Sequence, residues 1–295
     1  MHDVIFSLAN KQLAGLSNGQ VDKPLIIALH GWLDNACSFV PLAKYMNDFH
    51  FLAIDFAGHG LSSHRSPDAH YHQIDFVHDL HELVVSQGYE SFILLGHSMG
   101  GIVASMYASC FPERVTHFIT IESFGPLTKS AQSSSTQMRE SIESRLNLQG
   151  REAKHPQNFD TVVKARAKAG DLSVEAAELL VNRNLFEQDG ELRFRTDRRL
   201  RTLSSLRVTD EQAEHFMRNI NSPTLAIMGT QGYEAMREKL QQRFTWIANL
   251  TREQCVGGHH LHMDNPQDIA VIIHQFLSQN PSKIDNKATS AKPDM

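Results

Sequence analysis

Three cysteines in 295 residues are too few, too far apart and odd in number for a disulfide framework. Cys37, Cys110 and Cys255 therefore read as free, reduced thiols. No apolar run approaches the length of a membrane span, which excludes an integral helical membrane protein. Positive charge is scarce. Against 33 Asp+Glu there are 28 Lys+Arg, a net charge of −5 with no dense basic face of the kind nucleic acid requires. The opening residues, Met-His-Asp-Val-Ile-Phe-Ser-Leu, lack a basic stretch followed by a long apolar core, so no secretory leader is read and a cytoplasmic location is expected. No internal repeat is visible. What is present is an ordinary globular composition, 41% hydrophobic and 21% charged. The length suits one large α/β domain with an insertion, or two small domains.

The apolar pattern alternates between two periods. Val4 to Leu8 and Gln12 to Leu16 read as short strands, with Asn18-Gly19 as a turn. Leu25 to Leu29, Phe51 to Ile54 and Phe92 to Leu95 are unbroken apolar runs, as expected of strands buried on both faces of a parallel sheet, and Val115 to Ile121 reads as a further strand ending at Glu122. Helical spacing separates them over Phe39 to Met46, Ile74 to Val85 and the residues from Gly101 onward. Strand, helix, strand, helix in this order predicts an α/β fold with a mostly parallel, doubly wound sheet. After Pro126 the strands stop. Residues 126–220 read as a helical lid inserted after the sixth strand, with a small hairpin around Asp189-Gly190. The sheet resumes at Pro223 to Met228, followed by a helix around Glu234 to Phe244, a strand between Trp246 and Val256, and a helix over Pro266 to Leu277. The core is thus 1–125 plus 221–279, and the polar tail, from Ser278 or 280 to 295, is expected to be disordered.

One stretch carries chemistry. Gly96-His97-Ser98-Met99-Gly100 joins an apolar strand to a helix, the spacing of a nucleophile elbow that lifts a serine hydroxyl above the sheet. A plain strand–helix turn with a capping serine is the bland alternative. Ser98 is a poor nucleophile by itself and needs a base. His259, behind Gly257-Gly258 and after the last strand, is placed to be that base. The main-chain N–H groups of Trp32 and Met99 are the candidate oxyanion donors. Trp32, His97 and Phe124 are expected beside a small-molecule acyl substrate, with His97 packing behind the elbow and taking no part in proton transfer. The arginines 193, 195, 198, 199 and 201 read as a solvated charge run. His259, His260, His262 and Asp264 form a rival metal set, disfavoured because their spacing is not that of a zinc site.

Four segments, His30-Gly31-Trp32, Asp55-x-x-Gly58-His59-Gly60-x-Ser62, Gly96-His97-Ser98-Met99-Gly100 and Gly258-His259 with Pro266 beyond, together resemble the α/β-hydrolase superfamily. The stretches LHGWLDNACSF, DFAGHGLSSH and LLGHSMGG are most similar to its serine hydrolase-like (Kraken-type) branch. That resemblance implies an α/β-hydrolase fold and a Ser-His-acid hydrolase with no metal and no organic cofactor. It also selects His259 among the three neighbouring histidines. Many members take the acid from an aspartate after the seventh strand, but here that loop, 229–235, has none. Glu122, ending the sixth strand, is the expected acid, by similarity to one subgroup of haloalkane dehalogenases. Glu234 is the alternative, with Asp210 and Asp264 further off. The expected reaction is carboxylic-ester hydrolysis through an acyl-enzyme. Thioester, carbon–carbon and perhydrolytic chemistry, or a non-catalytic receptor, are open to the same pocket. Oligomeric state is not legible.

Overall fold

The computed structural model describes residues 1–149, 151, 155–232 and 241–281. In chain order it places β1 (His2–Ser7), β2 (Gln12–Ser17), β3 (Leu25–Leu29), α1 (Val40–Ala43), β4 (His50–Ile54), α2 (Gln73–Ser86), β5 (Phe92–His97), α3 (Met99–Cys110) and β6 (Val115–Ile121). A segment of α4 (Ser134–Gln149), α5 (Phe159–Gly170), α6 (Val174–Asn184), β7 (Leu185–Gln188), β8 (Glu191–Phe194) and α7 (Asp210–Arg218) follows. The sheet then resumes with β9 (Thr224–Gly229) and β10 (Leu250–Cys255), before α8 (Leu261–Asp264) and α9 (Pro266–Gln279). Eight strands form one sheet in the order β1-β2-β4-β3-β5-β6-β9-β10. The first two pairings are antiparallel and all from β4 to β10 are parallel. The mostly parallel, doubly wound sheet expected from the strand–helix alternation is the one observed, in the α/β-hydrolase architecture that the motif resemblance implies.

The unbroken apolar runs have a simple outcome. Along β3, Ile27 and Leu29 join one apolar cluster with Phe76, Leu80 and Leu83 of α2 and Val103 and Tyr107 of α3. Ile26 and Ala28 face the other way, into a cluster with Leu42 of α1 and Ile269, Ile273 and Phe276 of α9. Successive side chains leave a strand on opposite sides, so a strand covered on both faces must be apolar throughout. After β3 the chain crosses to β4 on one side, and β5 lies on the other. The crevice at the carboxyl ends of β3 and β5 is therefore the switch point at which such sheets bind ligands.

Three expectations differ in detail. The helix expected over Phe39 to Met46 is a 3₁₀ turn, Ala36–Phe39, followed by the single turn of α1. Pro41 has no N–H to donate and so sits in the first turn of a helix. Ser278 lies inside α9 and not in a tail. Glu234, most of the helix expected around it, and residues 282–295 fall outside the described residues. The hairpin matches its turn signal: Asp189 and Gly190 both have positive φ, 56° and 77°, between the paired strands β7 and β8. Cys37, Cys110 and Cys255 are all unpaired. No helix among the described residues is long and apolar enough to cross a membrane.

Gly100 shows how closely α3 is laid on the sheet. A Cβ there would overlap the Leu29 carbonyl and stand 2.8 Å from the His30 carbonyl oxygen. Both neighbours are backbone, which cannot rotate out of the way. Gly100→Ala is expected to destabilise the protein by about 3 kcal/mol or more, read as a lowered denaturant midpoint at unchanged slope. A midpoint equal to wild type would mean that α3 can shift at no cost.

Candidate active site

Ser98 sits where β5 becomes α3, with φ 50° and ψ −117°, a backbone conformation that a non-glycine residue rarely adopts. The strain is held from both sides. The Ser98 N–H donates to the Ile121 carbonyl of β6 at 3.0 Å, and its carbonyl accepts from Gly101 and Ile102 at 3.0 and 3.2 Å. Met99 is the first residue of α3. Its N–H is one of the helix-terminal donors without an intrahelical acceptor. Among the described residues nothing accepts the main-chain N–H of Met99 or of Trp32.

The loop carrying Trp32 is shaped by two buried histidines from the quoted motifs. His30 accepts the Phe56 N–H at 3.1 Å through Nε2 and donates from Nδ1 to the Gly31 carbonyl at 2.7 Å. His59 accepts the Leu33 N–H at 3.3 Å through Nε2, and its Nδ1 faces the Ala57 carbonyl at 3.2 Å. Each ring uses one nitrogen as donor and one as acceptor, which requires the neutral form. Burial pushes the His30 pKa down, and takes that of His59, with help from His30, to about 3. Asp55, read as a turn-builder, accepts the N–H groups of Ala36 and Leu61 at 2.7 and 2.9 Å and pairs with Arg183 of α6.

Glu122 directly follows β6, with φ 50°, and is buried. Its N–H donates to the Ile227 carbonyl of β9 at 3.0 Å. Its carboxylate accepts the Gly229 N–H at 2.6 Å through Oε1, and Oε2 stands 3.4 Å from His259 Nδ1. A Cβ at Gly232 would overlap this carboxylate. His259 follows β10, and its main-chain carbonyl accepts from His97 Nε2 at 2.9 Å. Ser98, Glu122 and His259 thus follow the carboxyl ends of β5, β6 and β10, on the same end of the sheet, with Glu122 on His259. Ser98 Oγ makes no hydrogen bond to the His259 ring in this structure. Catalytic contacts are often loose without substrate and tighten only in its complex.

Other expected residues are placed as follows. Trp32 is half exposed, and its indole N–H donates to the Leu200 carbonyl at 3.0 Å. His97 and Phe124 are fully enclosed: His97 lies under the His259 loop, and Phe124 packs edge-on against Phe244, ring centroids 4.9 Å apart. Neither presents surface to solvent. Arg199 departs from the solvated run. It pairs with Asp197 and donates to the carbonyls of Arg65, Ser66 and Ala69. The four residues weighed as a metal set do not converge, since Asp264 is exposed and accepts from Ser173 N at 3.4 Å.

Sequence reasoning missed Asp34. It is 2% exposed, pairs with Arg166 of α5, and has His260 Nε2 at 3.2 Å and His97 Nδ1 at 3.8 Å. Ligand atoms of Asp34, His97 and His260 all lie within 4.8 Å of one another. The Arg166 guanidinium already supplies the cation there. Asp34 and Arg166 are 132 positions apart, and no sequence signal links them.

A strained serine between strand and helix, an imidazole from the last loop and a buried carboxylate on one end of a parallel sheet define an α/β hydrolase. A family model for the alpha/beta hydrolase fold matches residues 24–266, and the chain belongs to that family. Within it, the chain falls in the serine hydrolase-like branch. It is 29% identical over 291 residues to the serine hydrolase-like protein of Danio rerio, spanning 94% of this chain and 87% of that one. Human serine hydrolase-like protein 2 is 30% identical over 289 residues, 90% of each chain. Among solved structures, the hypothetical protein PA1622 of Pseudomonas aeruginosa PAO1 is 35% identical with a TM-score of 0.89, covering 94% of this chain and 100% of that one. The thioesterase domain from the curacin biosynthetic pathway, 24% identical with a TM-score of 0.81 over 93% of this chain and 99% of that one, shares the fold.

Proposed function

We propose that the protein is a cofactor-independent serine hydrolase that cleaves carboxylic esters of small molecules through an acyl-enzyme. The observation that carries this reading is the buried Glu122 carboxylate on His259 Nδ1 beside the strained Ser98. With its Nδ1 proton held by Glu122, His259 has Nε2 free of a proton and able to take the one on Ser98 Oγ as that oxygen attacks the acyl carbon. The carbonyl oxygen becomes an oxyanion, received by the N–H groups of Trp32 and Met99. Collapse of the adduct breaks the ester bond, and the imidazolium gives its proton to the departing alkoxide. Water, deprotonated by the same histidine, then attacks the acyl-enzyme and releases acid and free Ser98. In this reading residues 126–220 act as a cap that sets which acyl groups enter, and the protein works in the cytoplasm.

One rival is a ligand receptor that keeps the pocket and does no chemistry. A fluorophosphonate probe separates them. The expected result is stoichiometric modification, with the probe mass on the peptide holding Ser98. Folded protein that stays unlabelled, and that turns over no p-nitrophenyl ester from acetate to long acyl chains, would establish the receptor reading instead.

A further inference from the structure

Three near-consecutive residues after β3 each hold a different part of the inserted segment. The Trp32 indole donates to the Leu200 carbonyl, Asp34 pairs with Arg166 of α5, and the Asn35 amide donates to the Leu180 carbonyl of α6. Of these, only Asp34 also reaches the residues beside the nucleophile and the base. His97 precedes Ser98, and His260 follows His259.

The proton on His97 has one place to be. Its Nε2 lies 2.9 Å from the His259 main-chain oxygen, which can only accept, so Nε2 carries the hydrogen. Burial first, and then the neighbouring His262, His259 and His260, keep His97 neutral, well below the usual histidine range. Nδ1 is therefore a bare lone pair, buried, without a hydrogen-bond partner, and 3.8 Å from Asp34 Oδ2. A lone pair facing a buried carboxylate is repelled. Protonation of Nδ1 would relieve it, either by adding a proton or by moving the one on Nε2. The second route releases the His259 carbonyl. What makes the observed arrangement tolerable is the company Asp34 keeps: His260 Nε2 stands 3.2 Å from the same Oδ2, and Arg166 pairs with the other oxygen.

We propose that Asp34 and Arg166 are positioning residues: the inserted segment's guanidinium neutralises Asp34, keeps the His97 proton on Nε2, and so holds the His259 loop against the Ser98 elbow. The inference rests on the hydrolase reading for its catalytic consequence, but the proton's place on His97 is measurable without it. The groups facing His97 are Asp34 after β3, His259, His260 and His262 from the last loop and α8, and Arg166 from α5. Beyond them Glu122 faces His259, and Asp171, at the end of α5, lies beside Gly258.

The test uses the full chain with ¹⁵N-labelled histidine and long-range ¹H–¹⁵N correlation spectra, with His97 assigned by the signal lost in His97→Gln. Wild type is expected to show His97 as the neutral Nε2–H form throughout about pH 6 to 8. In Arg166→Met its pKa rises by about one pH unit or more, or its proton moves to Nδ1. Arg166→Lys keeps the wild-type pattern, and the double variant Asp34→Asn/Arg166→Met regains it, because the uncompensated carboxylate is gone. Fluorophosphonate labelling of Ser98 slows about tenfold or more in Arg166→Met and recovers in the double variant, where a purely structural loss would add. A His97 spectrum unchanged in Arg166→Met overturns the inference. Wild type that never labels overturns the hydrolase reading, and that outcome is distinct.

Discussion

Glu122→Gln is expected to lower ester turnover about 10³- to 10⁴-fold while the protein stays folded. The substitution preserves shape. The amide oxygen still accepts the Gly229 N–H that Oε1 accepts at 2.6 Å. The amide nitrogen then takes the place of Oε2, 3.4 Å from His259 Nδ1, and two donors cannot face one another. His259 must present a bare Nδ1 to it and move its proton to Nε2, the nitrogen that has to receive the Ser98 proton. The base is lost without being removed. Measured with a p-nitrophenyl ester, kcat should approach the floor set by Ser98→Ala, with a thermal midpoint near wild type. Glu234→Gln should leave turnover nearly unchanged. The opposite ranking of these two variants would remove Glu122 from the proposed triad.

Acidification is expected to begin destabilising the protein at about pH 6.5, above the range where carboxylates titrate. His30, His59, His97 and His262 are buried, and burial is the largest cause lowering the pKa of each, that of His59 to about 3. In the unfolded chain each takes a proton near about pH 6.5. The unfolded state therefore binds more protons than the folded one below that pH. Stability is complete above about 6.5 and falls as the pH drops toward the folded values, by about 1.4 kcal/mol per pH unit for each group. Domains of this kind have only about 5–15 kcal/mol to lose. Asp34 acts later. Burial would raise its carboxyl, but His260, Arg166 and His97 hold it well below the usual carboxylate range. Its contribution is lost only below about pH 4. Melts followed by circular dichroism should show the midpoint falling from about pH 6.5 and cooperative unfolding before about pH 4. A midpoint that stays level between about pH 7 and 5 would mean that these rings take up protons inside the fold.

Much of this was readable along the chain because it is local. A strand buried on both sides is apolar nearly throughout, so β3, β4 and β5 stand out as runs. A sharp strand-to-helix turn pressed against a neighbouring strand needs glycine, so Gly96 and Gly100 bracketed Ser98. The Asp189-Gly190 pair announced its hairpin for the same local reason. Glu122 was legible only as a position, a carboxylate at the end of a strand where the usual aspartate was missing. His30 and His59 were visible as motif letters, while their work, each bridging a donor and an acceptor across two loops, was not. Arg199 shows the opposite error. In a run of arginines it looks solvated, yet it closes three carbonyls of a distant loop.

The order of apolar periods by itself determined the α/β class with its mostly parallel, doubly wound sheet, the strand that ends in Ser98 and the loop that brings His259, because periodicity and turn sterics act over a few neighbouring residues; the hydrolase fold was legible only through the resemblance of four motifs. Only the tertiary structure decided that Glu122 lies on His259 and that Asp34 meets Arg166, His97 and His260. Those contacts join residues far apart along the chain, 137 positions for Glu122 and His259 and 132 for Asp34 and Arg166, and a buried charge accepts whichever partner the packing delivers. No local rule written along the chain specifies that choice.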